Sequence, residues 1–546
     1  GLTWSAMAGT TGAHESYDSF FDIVYKLEVH PTTGDLFAAV GGRLYRYDVG
    51  TTTWVTELTN SGGNTSYATD VVITPSGRVY ASFSGNQDAA IEGVWTSSNG
   101  EAPWKRASTV TQHNRITGRV VLGLAPSNEN KLYVLFDNGN SGNCATGTQE
   151  ADLWLYTRTG TTGTWTDYSA VLPLETCGTS DPGNNPLHIQ GGYDLVVSVK
   201  PNNENFVVIG GTNAYRKADI TDAGTRFDRI GGYASPNTYA SWPNHHADIH
   251  AMVFNPFDND NLISGTDGGV RETLDINAGT VSWVNLNNDY QTQQYYHVAI
   301  DPQSASDYVV GGLQDNGTNE GGLSAGEPSS TTQTQIWGGD GVAVGISRDN
   351  ANVPVFVGFQ NGPIYRVFKN VGGWTAIQPS GSSSQFVTYY HLDPSNNKNL
   401  YYAGRGVLYR TTDATNVTSG TWTNMGSPTG FGTGGANEWF SRFSTTWGTY
   451  SAATSYLLMG GDTGSVLRLD DPQNVASVAS AFNITPSGAS GVVTGLAIHP
   501  TNRDIVLLTY SNYSITNIYI TTNATAASPT WTVAERNLAS HSIRSA

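Results

Sequence analysis

Charge is scarce in this chain of 546 residues: Asp, Glu, Lys and Arg together make up 13%, about half the usual share of a soluble domain. A disordered chain needs high charge and few aromatics, and here there are 28 Tyr and 14 Trp. The Glu, Lys, Ala and Leu of a coiled coil or helical solenoid are missing too. No apolar run approaches the roughly 18 residues of a membrane-crossing helix. Basic residues are the scarcer sign, 27 against 45 acidic, for a net charge of −18. Duplex nucleic acid is therefore excluded as a partner, because phosphate binding needs a basic face. Acidity of this kind favours solubility and attracts cations.

Cysteine is nearly absent. Cys144 and Cys177 lie in Gly/Asn/Thr-rich segments and read as one disulfide stapling a long loop, which implies an oxidising compartment. A zinc site is disfavoured, since two cysteines without further ligands at suitable spacing leave the tetrahedral set incomplete. The chain begins with Gly rather than Met and carries no signal peptide. The expectation is a mature exported protein or a fragment of one.

What is abundant is Gly, 63 residues, together with Tyr, Trp, Thr and Val. That mixture suits many short strands and tight turns. A pattern recurs: an apolar strand ending in a Pro or Asn turn, a second strand of small apolar residues, a Gly turn, a strand with Tyr or Arg, and then Trp. Ten copies close near Trp54, Trp104, Trp165, Phe227, Trp283, Trp337, Trp374, Trp422, Phe482 and Trp531, the ninth of them degenerate. From Pro31 to Pro500 the repeat averages about 52 residues, close to the length of a four-stranded propeller blade. The fold class expected is all-β: one β-propeller domain over 1–546 with about ten four-stranded blades. The alternative is two smaller tandem propellers.

The turns before the Trp residues, such as Ser97-Ser98-Asn99-Gly100 before Trp104 and Thr411-Thr412-Asp413 before Trp422, resemble the Asp-box of bacterial neuraminidase (BNR) repeats. Their role is structural, with the short polar side chain bonding its own turn and the Trp packing between blades. Ten copies in one chain look like the sortilin-type propeller. A closer resemblance lies in Asn244-His245-His246-Ala247-Asp248-Ile249-His250, Gly265-Thr266-Asp267-Gly268-Gly269, Gly312-Leu313-Gln314-Asp315-Asn316-Gly317 and Gly338-Gly339-Asp340-Gly341. These segments are similar to exported, sortilin-like BNR-repeat proteins common in Bacteroidetes, which often carry a type IX secretion signal. The resemblance implies an extracellular or cell-surface location.

Register places many of the few carboxylates on one rim of such a propeller, where first strands begin and where second strands turn into third. The residues expected to bind a ligand there are Asp70, Arg119, Tyr193, Asp194, Trp242, Tyr295, Gln314, Trp337, Gln360 and Arg405. If the protein is an enzyme, Asp248, His250, Asp267, Asp315 and Asp340 are its candidate acids, bases or nucleophiles, since paired carboxylates cleave glycosidic bonds. On a regular strand His246, Asp248 and His250 share one face and could hold a divalent cation. The bland reading of Asp before Gly, as in Asp267-Gly268 and Asp340-Gly341, is a turn cap. The arginine trio and Arg-Ile-Pro motif of sialidases are absent. Where the xyloglucan-active endoglucanases carry Arg-Thr-Asp-x-Gly-Gly, this chain has Ala39-Val40-Gly41-Gly42-Arg43, without the Asp.

The function expected is a non-catalytic adhesion or recognition module for a glycan or protein, which could also meet other domains or copies of a longer parent chain. The alternative is a secreted polysaccharide-degrading glycosidase using the rim carboxylates.

Overall fold

The structure is a computed structural model. It describes residues 5, 7–10, 20–60, 67–85, 90–174, 187–234, 240–288, 293–431, 437–538 and 542–544. The chain is all-β: ten four-stranded antiparallel sheets, each a meander of consecutive strands, which are the blades of a β-propeller. Among the described residues no helix is long and apolar enough to cross a membrane.

Compactness divides the chain into two units, Gly1–Gln291 and Thr292–Ala546. The first holds blades one to five, whose first strands are Val24–Val29, Ala68–Ile73, Val120–Leu124, Val196–Val199 and Ile249–Asn255. The second holds blades six to ten, with first strands Tyr295–Ile300, Gly341–Ile346, Tyr390–Leu392, Phe440–Thr445 and Val492–Ile498. Within each unit, successive first strands pack side by side.

Second strands form the core. Val79–Phe83, Leu400–Gly404 and Tyr456–Gly461 are buried along their whole length, so they read as continuous apolar runs rather than alternating ones. Small residues there allow neighbouring blades to approach. A Cβ on Gly210 would lie 2.7 Å from Ile249 Cγ2 of the next blade, and one on Gly312 would lie 2.2 Å from the Val342 carbonyl oxygen.

The tryptophans do what the repeat implies. The indole nitrogens of Trp165, Trp283, Trp422 and Trp531 donate to the carbonyls of Ala107, Ile230, Ile377 and Ile484, at or beside the fourth strand of the preceding blade, over 2.6–3.0 Å. Trp104 donates to the Glu57 carboxylate at 3.1 Å. Trp337 differs. It ends its strand (Gln333–Trp337) instead of opening it, and it packs on Tyr365, Phe359 and Trp374 of the next blade. The ninth blade is complete despite its degenerate sequence. Its first strand, FSRFST, lacks apolar alternation because Ser441 and Arg442 bond to the neighbouring first strand. Cys177 lies outside the described residues, and with it the expected pairing to Cys144.

First strands share a further feature. Near the start of the first strand in seven blades the pairing register slips by one residue: at Tyr25, Thr69, His250, Tyr296, Ser441 and Thr494 in blades one, two, five, six, nine and ten, and between Gly341 and Val344 in blade seven. A bulge of this kind re-aims a side chain. Thr69 uses it to donate to Val120 O at 2.8 Å, and Ser441 to donate to Val493 O at 2.7 Å. In both cases the acceptor belongs to the first strand of the next blade.

Candidate functional site

In the first unit, the bulge of blade five carries a histidine instead of a hydroxyl. Asp248 precedes it with φ of +61°, a left-handed conformation that Asp tolerates better than most residues. Its N–H donates to Thr212 O at 2.9 Å, and the Ile249 N–H donates to Gly211 O at 3.0 Å, which pins this corner to blade four. The regular strand begins at Ile249. His246, Asp248 and His250 therefore do not alternate on one strand face. His246 turns to the Ala247 carbonyl at 3.0 Å. Among the described residues no group of three or more His, Cys, Asp or Glu side chains is arranged to hold a metal ion.

What the corner assembles is a proton-sharing cluster. His250 Nε2 bonds Asp267 Oδ1, and its Nδ1 lies 3.9 Å from Asp194 Oδ1. The Tyr193 hydroxyl donates to Asp267 Oδ1 at 3.3 Å, and its ring meets the His250 ring edge-on at 4.8 Å between centroids. The Gln190 amide donates to Asp194 Oδ2 and to Asp248 Oδ1, each at 2.7 Å. Asp194 is wholly buried, and its Oδ1 has no hydrogen-bond partner. Burial, and then the Asp248 and Asp267 carboxylates, hold Asp194 far above the usual carboxylate range. Burial also raises Asp248. Burial acts upward on Asp267 too, but the His250 hydrogen bond and charge outweigh it and keep Asp267 low. Neighbouring carboxylates disfavour each other's ionisation, so protonation is favoured at the Asp194–Asp248 pair and disfavoured at Asp267.

Two loops hold these groups in place. The Gln190–Tyr193 turn is anchored below by the Glu150 carboxylate, which bonds His188 Nδ1 at 2.8 and 2.9 Å and accepts from Ile189 N at 3.0 Å. It is anchored laterally by Arg119, which donates to the Gly192 and Tyr193 carbonyls at 3.0 and 3.1 Å. Gly192 has φ of +90°, and a Cβ there would lie 2.9 Å from Arg119 Cβ, so only glycine fits. The Asp267-Gly268-Gly269 turn is strapped by Asn287, which accepts from Val270 N and donates to Gly268 O at 2.8 and 2.7 Å. Arg271 also donates to Gly268 O, at 2.9 Å.

The second unit has its own polar group. Tyr296, the bulge residue of blade six, donates to Gln314 Oε1 at 3.0 Å. Asp315 has φ of +58°, and its N–H donates to Asp340 Oδ1 at 2.7 Å. The Asp340 N–H donates in turn to Gln360 Oε1 at 3.1 Å. Asp340 thus serves the Gln314–Gly317 turn of the preceding blade and not its own Asp-Gly turn. Arg405 lies over the Trp439 ring, 3.8 Å from its centroid.

Of the residues expected at the rim, Tyr193, Asp194, Asp248, His250 and Asp267 come together, with Arg119 positioning the first two. Within the first unit, Asp70 and Trp242 do not join them. Asp70 is buried, accepts from Val71 N and Leu122 N at 2.8 Å each, and links the first strands of blades two and three. Trp242 lines a cavity of about 300 Å³ with Trp283 and Asn244, whose walls include none of these carboxylates. The Tyr295 hydroxyl is taken by Gln333, and Trp337 is packed between blades. Gln190, which bridges the two acids, was not singled out from the sequence. Its signal is its place before Gly191-Gly192, at the entry to a first strand.

No family model matches the chain, and no curated protein is similar to it. Among solved structures it is similar to the GH74 enzyme of Niastella koreensis, with a TM-score of 0.53 and 16% identity over 93% of this chain and 68% of that one. It is also similar to an ancestral GH74 enzyme, with a TM-score of 0.53 and 13% identity over 96% of this chain and 88% of that one. At these identities the likeness is one of fold, and fold does not assign a reaction.

Proposed function

We propose that the chain is an exported or cell-surface propeller module that binds a glycan at the Tyr193–His250–Asp267 cluster without cleaving it. One observation carries this reading: Asp194, the acid whose burial and neighbours most favour its protonated form, has no exposure and so cannot reach a glycosidic oxygen. The groups that do meet solvent are Tyr193, 56% exposed, and the partly exposed His250 and Asp267 side chains. They offer an aromatic edge, a ring N–H and a carboxylate, the equipment for hydrogen-bonding vicinal hydroxyls. Asp194 lies buried behind them, beside His250, and Gln190 ties it to Asp248, the fixed backing that a preorganised site requires.

A second reading, a polysaccharide-degrading glycosidase, draws on the divided protonation of the same cluster. An acid held protonated beside one held ionised is the pattern of acid–base catalysis. A glycan array and a polysaccharide digestion screen on the purified chain separate the two. Binding that Tyr193→Ala and Asp267→Asn abolish, with no release of reducing ends, supports the binding module. Release of reducing ends that Asp248→Asn or Asp267→Asn abolishes, with melting unchanged, overturns it in favour of the enzyme.

A further inference from the structure

The chain's fourth-strand tryptophans are engaged by neighbouring blades, but Trp447 is not. It sits on the loop between the first and second strands of blade nine, 51% exposed, and no hydrogen bond involves its indole among the described residues. An exposed indole on a braced loop offers a flat face on which a ligand ring can stack.

The loop is built to hold it. Gly448, at φ of +94°, donates its N–H to Ser395 Oγ of blade eight at 2.8 Å. Ser451 N donates to Ser455 Oγ at 3.0 Å, and Ser455 N donates back to Ser451 O at 2.7 Å. The Tyr450 hydroxyl bonds Asp471. A platform fixed in this way loses little freedom when a ligand stacks on it.

Trp447 forms a wall of two cavities. One, of about 320 Å³, continues over Thr449, Ser455, His499, Asn502 and Arg503. His499 Nδ1 accepts from Thr501 N and Asn502 N at 3.3 and 3.2 Å, which leaves Nε2 to carry the neutral ring's proton. The other cavity, of about 310 Å³, runs past Pro394, His391 and His297. Both volumes fall at the small end of the range for ligand sites. The first cavity's wall is rich in hydroxyl, amide and imidazole groups, the second is mainly aliphatic with two histidines, and both are poor in net charge. Arg503 and the neighbouring Asp504 carboxylate, which also accepts from Thr525, offset each other in charge. With a net charge of −18 on the chain, an acidic polymer is disfavoured.

We infer that Trp447 is the stacking platform of a separate binding site for a neutral polysaccharide, with one sugar ring on the indole and its neighbours in the two flanking cavities. This site does not depend on the cluster around His250, and substitution separates the two.

Affinity electrophoresis tests it. The purified full chain is run in native gels cast with xyloglucan, galactomannan, mixed-linkage β-glucan or arabinoxylan. Retardation is expected in at least one gel. Trp447→Ala should weaken it at least tenfold, Trp447→Tyr should keep most of it, and Asp267→Asn should leave the Trp447-dependent part in place. If Trp447→Ala melts lower than the parent, Trp447→Gln is read in its stead. No retardation in any gel, or equal retardation of the parent, Trp447→Ala and Trp447→Gln, overturns the inference. Retardation lost only in Asp267→Asn overturns it as well, and assigns the glycan to the other site.

Discussion

The side-chain amide of Gln190 donates to both Asp194 and Asp248, at 2.7 Å each. It thereby holds two acids close enough to share a proton. Gln190→Leu removes both donors and leaves two carboxyl oxygens unserved, that of Asp194 buried and that of Asp248 at the solvent edge. Unsatisfied polar groups of this kind cost about 1–3 kcal/mol. Urea unfolding should show a loss of that size at pH 6 and a larger one at pH 8.5, where less of the shared proton remains. Equal losses at the two pH values would mean that the pair holds no proton.

The same pair sets an alkaline limb. Asp194 keeps in the folded state a proton that the unfolded chain has already released above the ordinary carboxylate range. The native state then binds more protons than the unfolded one, so stability falls as pH rises from about 4 through neutrality. In Asp194→Asn this fall should flatten, because the amide neither titrates nor needs a proton. Melting temperatures followed from pH 4 to 9 check it: parent and variant should lie closest at the acid end, with the variant ahead at the alkaline end.

His245 acts in the opposite direction. It is buried against Trp283, 4.2 Å between ring centroids, and its Nδ1 accepts from Gly232 N at 2.9 Å. Burial, with Arg271 adding, lowers it to about 3. Between that value and the ordinary histidine value of about 6.5, the unfolded chain binds a proton that the folded chain refuses, so stability declines as pH falls through this window. His245→Gln should be less stable than the parent at pH 7 yet show a shallower decline from pH 6.5 to 4 in denaturant titrations.

Blade packing was legible in the sequence because it repeats. Trp283 and its counterparts Trp104, Trp165, Trp422 and Trp531 recur near one register position, and their indoles reach back to the preceding blade. The candidate site was only partly legible. Carboxylates could be placed on one rim by register, which brought Asp194, Asp248 and Asp267 into view. The alternation rule then misled at His246, Asp248 and His250, because a bulge takes His250 out of phase and Asp248 lies in a left-handed turn before the strand begins. A bulge is one residue of slippage and leaves no compositional mark. Gln190 was missed for a related reason: nothing in a lone glutamine before two glycines says that a distant aspartate will fold onto it.

Trp283 offers a direct measure of blade cohesion. It is 3% exposed and donates to Ile230 O at 2.6 Å. Trp283→Phe keeps most of the apolar volume and strands that carbonyl, a loss of about 1–3 kcal/mol. Trp283→Ala adds a cavity, for a total of about 3–5 kcal/mol. If the two variants unfold at the same denaturant concentration, the hydrogen bond and not the packing joins these blades.

The bulge position itself separates structure from function. In blades two and nine it is occupied by Thr69 and Ser441, whose hydroxyls bond the first strand of the next blade. In blade five His250 turns instead to Asp267 within its own sheet. A residue chosen only for cohesion would be another hydroxyl, as the two other blades demonstrate. His250→Ser should therefore fold, with a melting temperature within a few degrees of the parent at neutral pH. It should lose the glycan binding attributed to the Tyr193–His250–Asp267 cluster by at least tenfold, while keeping retardation that depends on Trp447. If the variant binds as the parent does, His250 is a strut for Asp267 and the ligand lies elsewhere on the rim. If the variant unfolds, the imidazole serves cohesion after all, and the distinction between the histidine and hydroxyl bulges fails.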